Sequence, residues 1–212
     1  MSDPRGHHSS FVVSLVILLL VAGFLPAGCS ADFSLSCGED QTGTTTYTDS
    51  RYGYSFQYPG DWVVQEGDAA EITEGNSSNG GMSVYDPDGT VVGDYCIDLF
   101  QVSVYELNLT VDESMMPEIR NQVDDMLKGL ETQTGDWTRV DDLSEVTVGG
   151  AKGYKTTYDF TTETTPTTST FYFLFVGDIQ YQLTLQAATD AWDERQSDFE
   201  AILASFQPRP EQ

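Results

Sequence analysis

The sequence predicts an α+β fold in which strands dominate and two helices interrupt them. Three observations predict it. Aromatic and aliphatic residues recur at period two in several short runs, turn-forming residues separate those runs, and two segments carry apolar residues at helical spacing. The elements follow in chain order. Tyr52, Tyr54, Phe56 and Tyr58 share one face of an extended segment, and Pro59-Gly60-Asp61 supplies a turn before Trp62-Val63-Val64. Residues 97–109 alternate again, with Ile97, Leu99, Gln101, Ser103 and Tyr105 on one side. A helix is predicted from Met115 to Thr132, with Ile119, Val123, Met126 and Leu130 as its apolar stripe. Ser114 is its expected N-cap, and Pro117 falls in the first turn, where its missing N–H is tolerated.

A strand over 138–148 then runs into the hairpin turn Val148-Gly149-Gly150-Ala151, and its return strand runs from Lys152 to Phe160. The Thr- and Pro-rich stretch 161–170 is expected to be the next hairpin connection. Residues 171–176 and 179–187 form two further strands about a tight turn at Gly177-Asp178. The second helix is predicted over 191–205. Asp190 is its expected cap, Asp193 and Glu194 favour its positive end, and Trp192, Phe199, Ile202, Leu203 and Phe206 form its buried stripe.

Charge and composition narrow the function. The chain has 212 residues, 34 acidic against 9 basic side chains, and a formal charge of −25. Binding to nucleic-acid phosphates needs Lys and Arg clusters, so a generic nucleic-acid binder is excluded. Global disorder is excluded as well, because 39% of residues are hydrophobic and 12% aromatic.

Residues 11–25 read FVVSLVILLLVAGFL, a run of 15 that is short of the roughly 20 needed to span a hydrocarbon core. It fits the apolar region of a signal peptide, and small residues follow at once. Leu25-Pro26-Ala27-Gly28-Cys29 resembles a bacterial lipobox, with Pro26 where an aliphatic residue is usual. The resemblance implies cleavage before Cys29 and a diacylglycerol thioether on its sulfur. Residues 1–28 are therefore read as a lipoprotein signal peptide and residues 29–46 as a flexible tether, rich in Ser, Thr and Gly. Two or more acyl chains suffice for stable anchoring. The expected location is the extracytoplasmic face of the cell membrane. Cleavage removes Asp3, Arg5 and both histidines, His7 and His8, so the mature charge stays at −25.

The folded domain is read as 47–206, with 207–212 as a disordered tail. With Cys29 assigned to lipid, Cys37 and Cys96 remain, an even pair in an oxidising compartment. A disulfide between them would close a 59-residue loop and contribute ~4 kcal/mol. Two separate thiols are the alternative.

Tyr52-Gly-Tyr-Ser-Phe-Gln-Tyr-Pro-Gly-Asp-Trp62 is similar to the entry signature of PsbP-like proteins, and Phe199–Phe206 is similar to their closing helix. The order of strands, helix, long meander and final helix matches over about 160 residues. The resemblance implies an α/β/α sandwich with a central antiparallel sheet, as also found in the Ran-release factor Mog, and a non-enzymatic accessory or binding role. The photosystem role of the plant members is not carried over.

Chemistry is scarce. Without histidine in the mature chain there is no Ser–His or Cys–His pair, and zinc sites lose their main nitrogen ligand. No phosphate-binding GxxxxGK[ST] run occurs. No cofactor and no catalytic residue are predicted. Asp86-Pro87-Asp88-Gly89-Thr90 with Asp94 offers oxygen ligands suited to calcium, yet its spacing is not that of an EF-hand, and Pro-Asp-Gly is foremost a β-turn. The expected function is a lipid-anchored, non-catalytic binding protein with a protein partner in the envelope. The alternative is a cell-wall carbohydrate-binding protein or a carboxylate-dependent glycan hydrolase.

Overall fold

The computed structural model describes residues 43–67, 80–93 and 95–210. Its strands are β1 (Thr44–Thr48), β2 (Ser55–Pro59), β3 (Val63–Gly67), β4 (Gly80–Tyr85), β5 (Val91–Val92), β6 (Tyr95–Cys96), β7 (Leu99–Val111), β8 (Thr138–Val148), β9 (Ala151–Thr162) and β10 (Thr165–Ala188). Two helices join them, α1 (Met116–Thr134) and α2 (Trp192–Ser205). β1 and β2 pair with each other, as do β5 and β6, and the main sheet runs β3-β4-β7-β10-β9-β8, antiparallel throughout. The fold is α+β.

β10 is a hairpin. Its 24 residues are extended throughout, yet Ser169 Oγ donates to Gln186 Oε1 at 3.1 Å and the Thr189 N–H reaches the Pro166 carbonyl at 2.9 Å. A straight strand at ~3.3 Å per residue would hold Ser169 and Gln186 about 55 Å apart. The chain turns at Gly177-Asp178, where Gly177 takes a left-handed φ of 60° that a side chain would resist. The first half of β10 pairs with β9 and the second with β7, so the sheet is seven strands wide. This is the tight hairpin that Gly177-Asp178 predicts.

Alternation assigns the two faces. Tyr172, Leu174 and Val176 join Ile179, Tyr181, Leu183 and Leu185 in one buried cluster, with Phe100, Val102 and Val104 of β7. Tyr54, Phe56 and Tyr58 from the β1–β2 pair and Phe199 and Ile202 from α2 complete it. Phe56 meets Phe100 edge-on at 4.9 Å, and Trp62 meets Phe199 at 6.2 Å. A second cluster holds Phe171, Phe173 and Phe175 with Tyr154, Tyr158 and Phe160 of β9, under Ile119, Val123 and Leu127 of α1. Ion pairs of Arg139 with Asp124 (2.7 Å) and Glu131 (2.8 Å) pin α1 to β8, and the Tyr158 hydroxyl donates to Glu131 at 2.6 Å. Gly153 lies where backbones meet: a Cβ there would stand 1.9 Å from the Phe173 carbonyl oxygen.

Several sequence expectations change. The stretch 161–170 is strand except for a turn at Glu163-Thr164, because Thr is a strong strand former and Glu163 alone supplies the left-handed φ of 55°. Asp112, not Ser114, caps the helical entry: its carboxylate accepts from the Ser114 N–H at 2.8 Å and opens a short 3₁₀ turn (Glu113–Met115) before α1. Leu127 replaces Met126 and Leu130 as the third fully buried residue of α1. Asp190 makes no cap for α2, whose N-cap is Ala191 without a side-chain bond. On β7 the expected alternation holds, with Leu99, Gln101, Ser103 and Tyr105 on one side and Phe100, Val102 and Val104 on the other, facing the larger core. Among the described residues strand structure is already present at Thr44, ahead of Tyr47. The expected disordered tail is tied down through Arg209: Gln207 bridges Ser55, and the Arg209 N–H donates to the Tyr181 hydroxyl at 3.2 Å.

Candidate functional site

The residues singled out by sequence fall into three groups. Cys29 and Cys37 lie outside the described residues, as do the apolar run 11–25 and Asp94. Cys96 is half-buried and opposite Val91 in the β5–β6 pair. Among the described residues, no helix is long and apolar enough to cross a membrane.

Asp86 and Asp88 sit in the β-turn that Pro87 and Gly89 predict, closed by the Gly89 N–H to the Asp86 carbonyl at 3.1 Å. The buried carboxylate of Asp86 is held by Arg195 of α2 at 2.6 Å and accepts from the Asp88 N–H at 2.9 Å. Asp98, 1% exposed, accepts from the Thr90 N–H and the Ala188 N–H, each at 3.0 Å. Arg195 lies 3.5 Å from it as well. This network fastens the turn to α2 and to the end of β10, a structural use of carboxylates that the sequence offered for calcium. Among the described residues no group of three His, Cys, Asp or Glu side chains is placed to hold a metal ion.

A different place has the shape of a site. Between α2 and the β8–β9–β10 part of the sheet lies a cleft of about 570 Å³, within the range of roughly 300–1,000 Å³ typical of small-ligand pockets. Its floor comes from alternate residues of paired strands. β9 supplies Lys155, Thr157 and Asp159, and β10 supplies their partners Tyr172, Thr170 and Thr168. The wall is α2, through Trp192, Asp193, Gln196, Phe199 and Glu200, residues three and four apart that share one helical face. Asp141 of β8 closes the far side.

The floor hydroxyls are mutually engaged. Thr157 and Thr170 share a hydrogen bond of 2.9 Å, and Thr168 Oγ1 donates to Asp159 Oδ1 at 2.7 Å. A hydroxyl has one proton, so in the 3.0 Å contact between Thr168 and Thr189 it is Thr189 that donates. Tyr172 differs. It is 7% exposed, lines the cleft, and its hydroxyl makes no hydrogen bond among the described residues. Burial pushes its phenol pKa up, and the nearby Glu200 carboxylate adds to the shift. Lys155 is exposed and makes no ion pair among the described residues. Trp192 is half-buried, its ring 5.5 Å from Phe199, which fixes its position at the rim.

The cleft thus presents donors (Tyr172, Lys155, Gln196), acceptors (Asp141, Asp193, Glu200) and an aromatic edge, with no Ser, Cys or His in its lining. Sequence reasoning missed it. Its parts come from four elements between residues 140 and 203, and no single segment carries a motif.

Comparison with known proteins places the fold. A family model described as PsbP-like protein matches residues 31–207. The solution structure of the cyanobacterial PsbP protein CyanoP from Synechocystis sp. PCC 6803 is 18% identical, with a TM-score of 0.51 over 82% of this chain and 97% of that one. The crystal structure of LpqN, a Mycobacterium tuberculosis protein involved in cell envelope biogenesis, is 12% identical, with a TM-score of 0.52 over 79% of this chain and 91% of that one. Comparison with the curated proteins finds no match. At these identities the structures speak for the fold alone, while the family model spans most of the sequence that the strands, both helices and the cleft are built from: the chain belongs to the PsbP-like family.

Proposed function

We propose that this protein is a lipid-anchored, extracytoplasmic, non-catalytic binding protein of the cell envelope, and that the cleft under α2 is where it binds. The observation that carries the reading is the make-up of the cleft: hydroxyls fixed by their own hydrogen bonds, and donors and acceptors left over to meet a ligand. Such a lining can hold a polar ligand. The apolar run 11–25 followed by Ala27-Gly28-Cys29 supports the anchoring. LpqN, a protein of similar fold, is involved in cell envelope biogenesis, which agrees with this location. In the same reading, α1 on one face and α2 with β1–β2 on the other make the helix–sheet–helix sandwich of the family, and a Cys37–Cys96 disulfide staples the tether to the domain.

The anchoring test is detergent phase partition of wild-type and Cys29→Ser protein. Wild type enters the detergent phase and the variant stays unprocessed or enters the aqueous phase. Aqueous partition of both would contradict the anchor.

A further inference from the structure

We propose that the cleft between α2 and the β8–β9–β10 ladder recognises a neutral, polyhydroxylated ligand, a saccharide, with the Tyr172 hydroxyl as one of its hydrogen-bond contacts. This deepens the binding reading above and rests on it.

Tyr172 supplies the main observation. The Tyr172 ring is buried while its hydroxyl oxygen stays accessible from the cleft. Here the ring belongs to the core cluster, while the residue lines the cleft and its hydroxyl has no hydrogen bond among the described residues. The group is pre-positioned by packing and free to bond, so little ordering cost attends its use. Around it both halves of a hydrogen-bonding set stand open. Lys155, directly across the ladder from Tyr172, and Gln196 can donate, and Glu200 and Asp193 can accept. A sugar hydroxyl donates and accepts at once and can satisfy both. Trp192, held by Phe199, offers an apolar edge for the C–H face of a sugar ring.

The rival occupant, a cation or a basic peptide, fits less well. It would use the acceptors alone and would lie beside the Lys155 ammonium. Asp159 is already engaged by Thr168, and Asp141, Asp193 and Glu200 are exposed, where hydration and salt weaken their pull. A neutral ligand needs no counter-charge.

The test is calorimetric titration of the full chain, purified in detergent, with maltotriose, cellotriose and tri-N-acetylchitotriose, and with tri-lysine as the contrasting probe. At least one trisaccharide should bind in about the millimolar range or tighter. Its affinity should be nearly unchanged between about 0.05 and 0.5 M salt. Tyr172→Phe should weaken it about three- to tenfold, the loss expected for one hydrogen bond, and Glu200→Gln should weaken it as well. Because Tyr172→Phe removes a hydroxyl that holds nothing in the fold, its thermal unfolding should match wild type. Binding of tri-lysine alone, falling with salt, would overturn the saccharide and leave an envelope-binding cleft. No binding by any trisaccharide, or saccharide binding indifferent to both substitutions, would overturn the assignment. Cleavage of a bound trisaccharide, seen as shorter products by mass spectrometry, would support the ligand class and refute the non-catalytic reading instead.

Discussion

Toward α1 the β9–β10 ladder presents Tyr154, Tyr158, Phe160, Phe171, Phe173 and Phe175, all buried; toward α2 the same two strands present Lys155, Thr157, Asp159, Thr168, Thr170 and Tyr172. One backbone carries both rows, since successive side chains of a strand point to opposite faces. On the first face aromatic rings fill the space to the helix, with Trp137 stacked on Phe160 at 4.4 Å and Phe171 at 5.8 Å. On the second, short hydroxyl side chains cannot reach α2, and a cleft is left. Ladder and helix are present on both sides, so the difference between a core and a site is side-chain volume and polarity at alternate positions.

That contrast can be broken by degrees. The widest effect is that of alkaline pH, which acts on both faces. Burial raises the phenol pKa of Tyr54, Tyr105, Tyr172 and Tyr181, and burial together with the Glu131 hydrogen bond raises that of Tyr158. Unfolded tyrosines ionise near pH 10, so the unfolded chain loses its protons first. Stability is full below pH ~10 and falls as pH rises beyond it. The phenolate absorbance of these five rings should therefore appear together with loss of the near-ultraviolet circular dichroism, not before it.

Phe173→Ala comes next. This ring is fully buried against α1, and its truncation should cost about 3–5 kcal/mol in denaturant unfolding. On the opposite face Thr170→Val should cost only about 1–2 kcal/mol, since it strands the buried Thr157 hydroxyl. The double variant Thr157→Val/Thr170→Val should recover most of that loss, because both partners of the bond then disappear together. Smallest is Tyr172→Phe, within about 0.5 kcal/mol of wild type. Should Thr170→Val prove as costly as Phe173→Ala, the hydroxyl face would be a core in its own right and the comparison would fail.

Much of this architecture was legible locally. The alternation of Phe56 and Tyr58 on β2, the Gly149-Gly150 and Gly177-Asp178 turns and the buried Ile119, Val123, Phe199 and Ile202 of the two helices depend on neighbours in sequence, and all appear in the structure, whereas Tyr52 lies in a turn ahead of β2. Errors came where composition and conformation part. Thr165–Thr170 looks like a loop because it is polar, but β-branched threonines pair well across a ladder, and here their hydroxyls bond one another. Ser114 looked like a cap, but the carboxylate two residues earlier captures its N–H and its hydroxyl. The cleft was illegible for a deeper reason. Lys155, Tyr172 and Glu200 become neighbours through a strand register and a helix packing, and a register slip of one residue would turn every one of those strand side chains to the other face.

The claim that the hydroxyl-rich face binds while the aromatic face only packs is tested most directly by chemical-shift mapping. Isotope-labelled protein would be titrated with the tightest-binding trisaccharide and followed by backbone amide, Trp indole and Gln side-chain resonances. The predicted shifts cluster on Lys155, Thr157, Thr170 and Tyr172 of the ladder and on Trp192, Gln196 and Glu200 of α2, leaving Ile119, Val123 and Leu127 of α1 unmoved. Shifts centred on α1, or on the exposed edge strands β3 and β8 with the cleft silent, would contradict it.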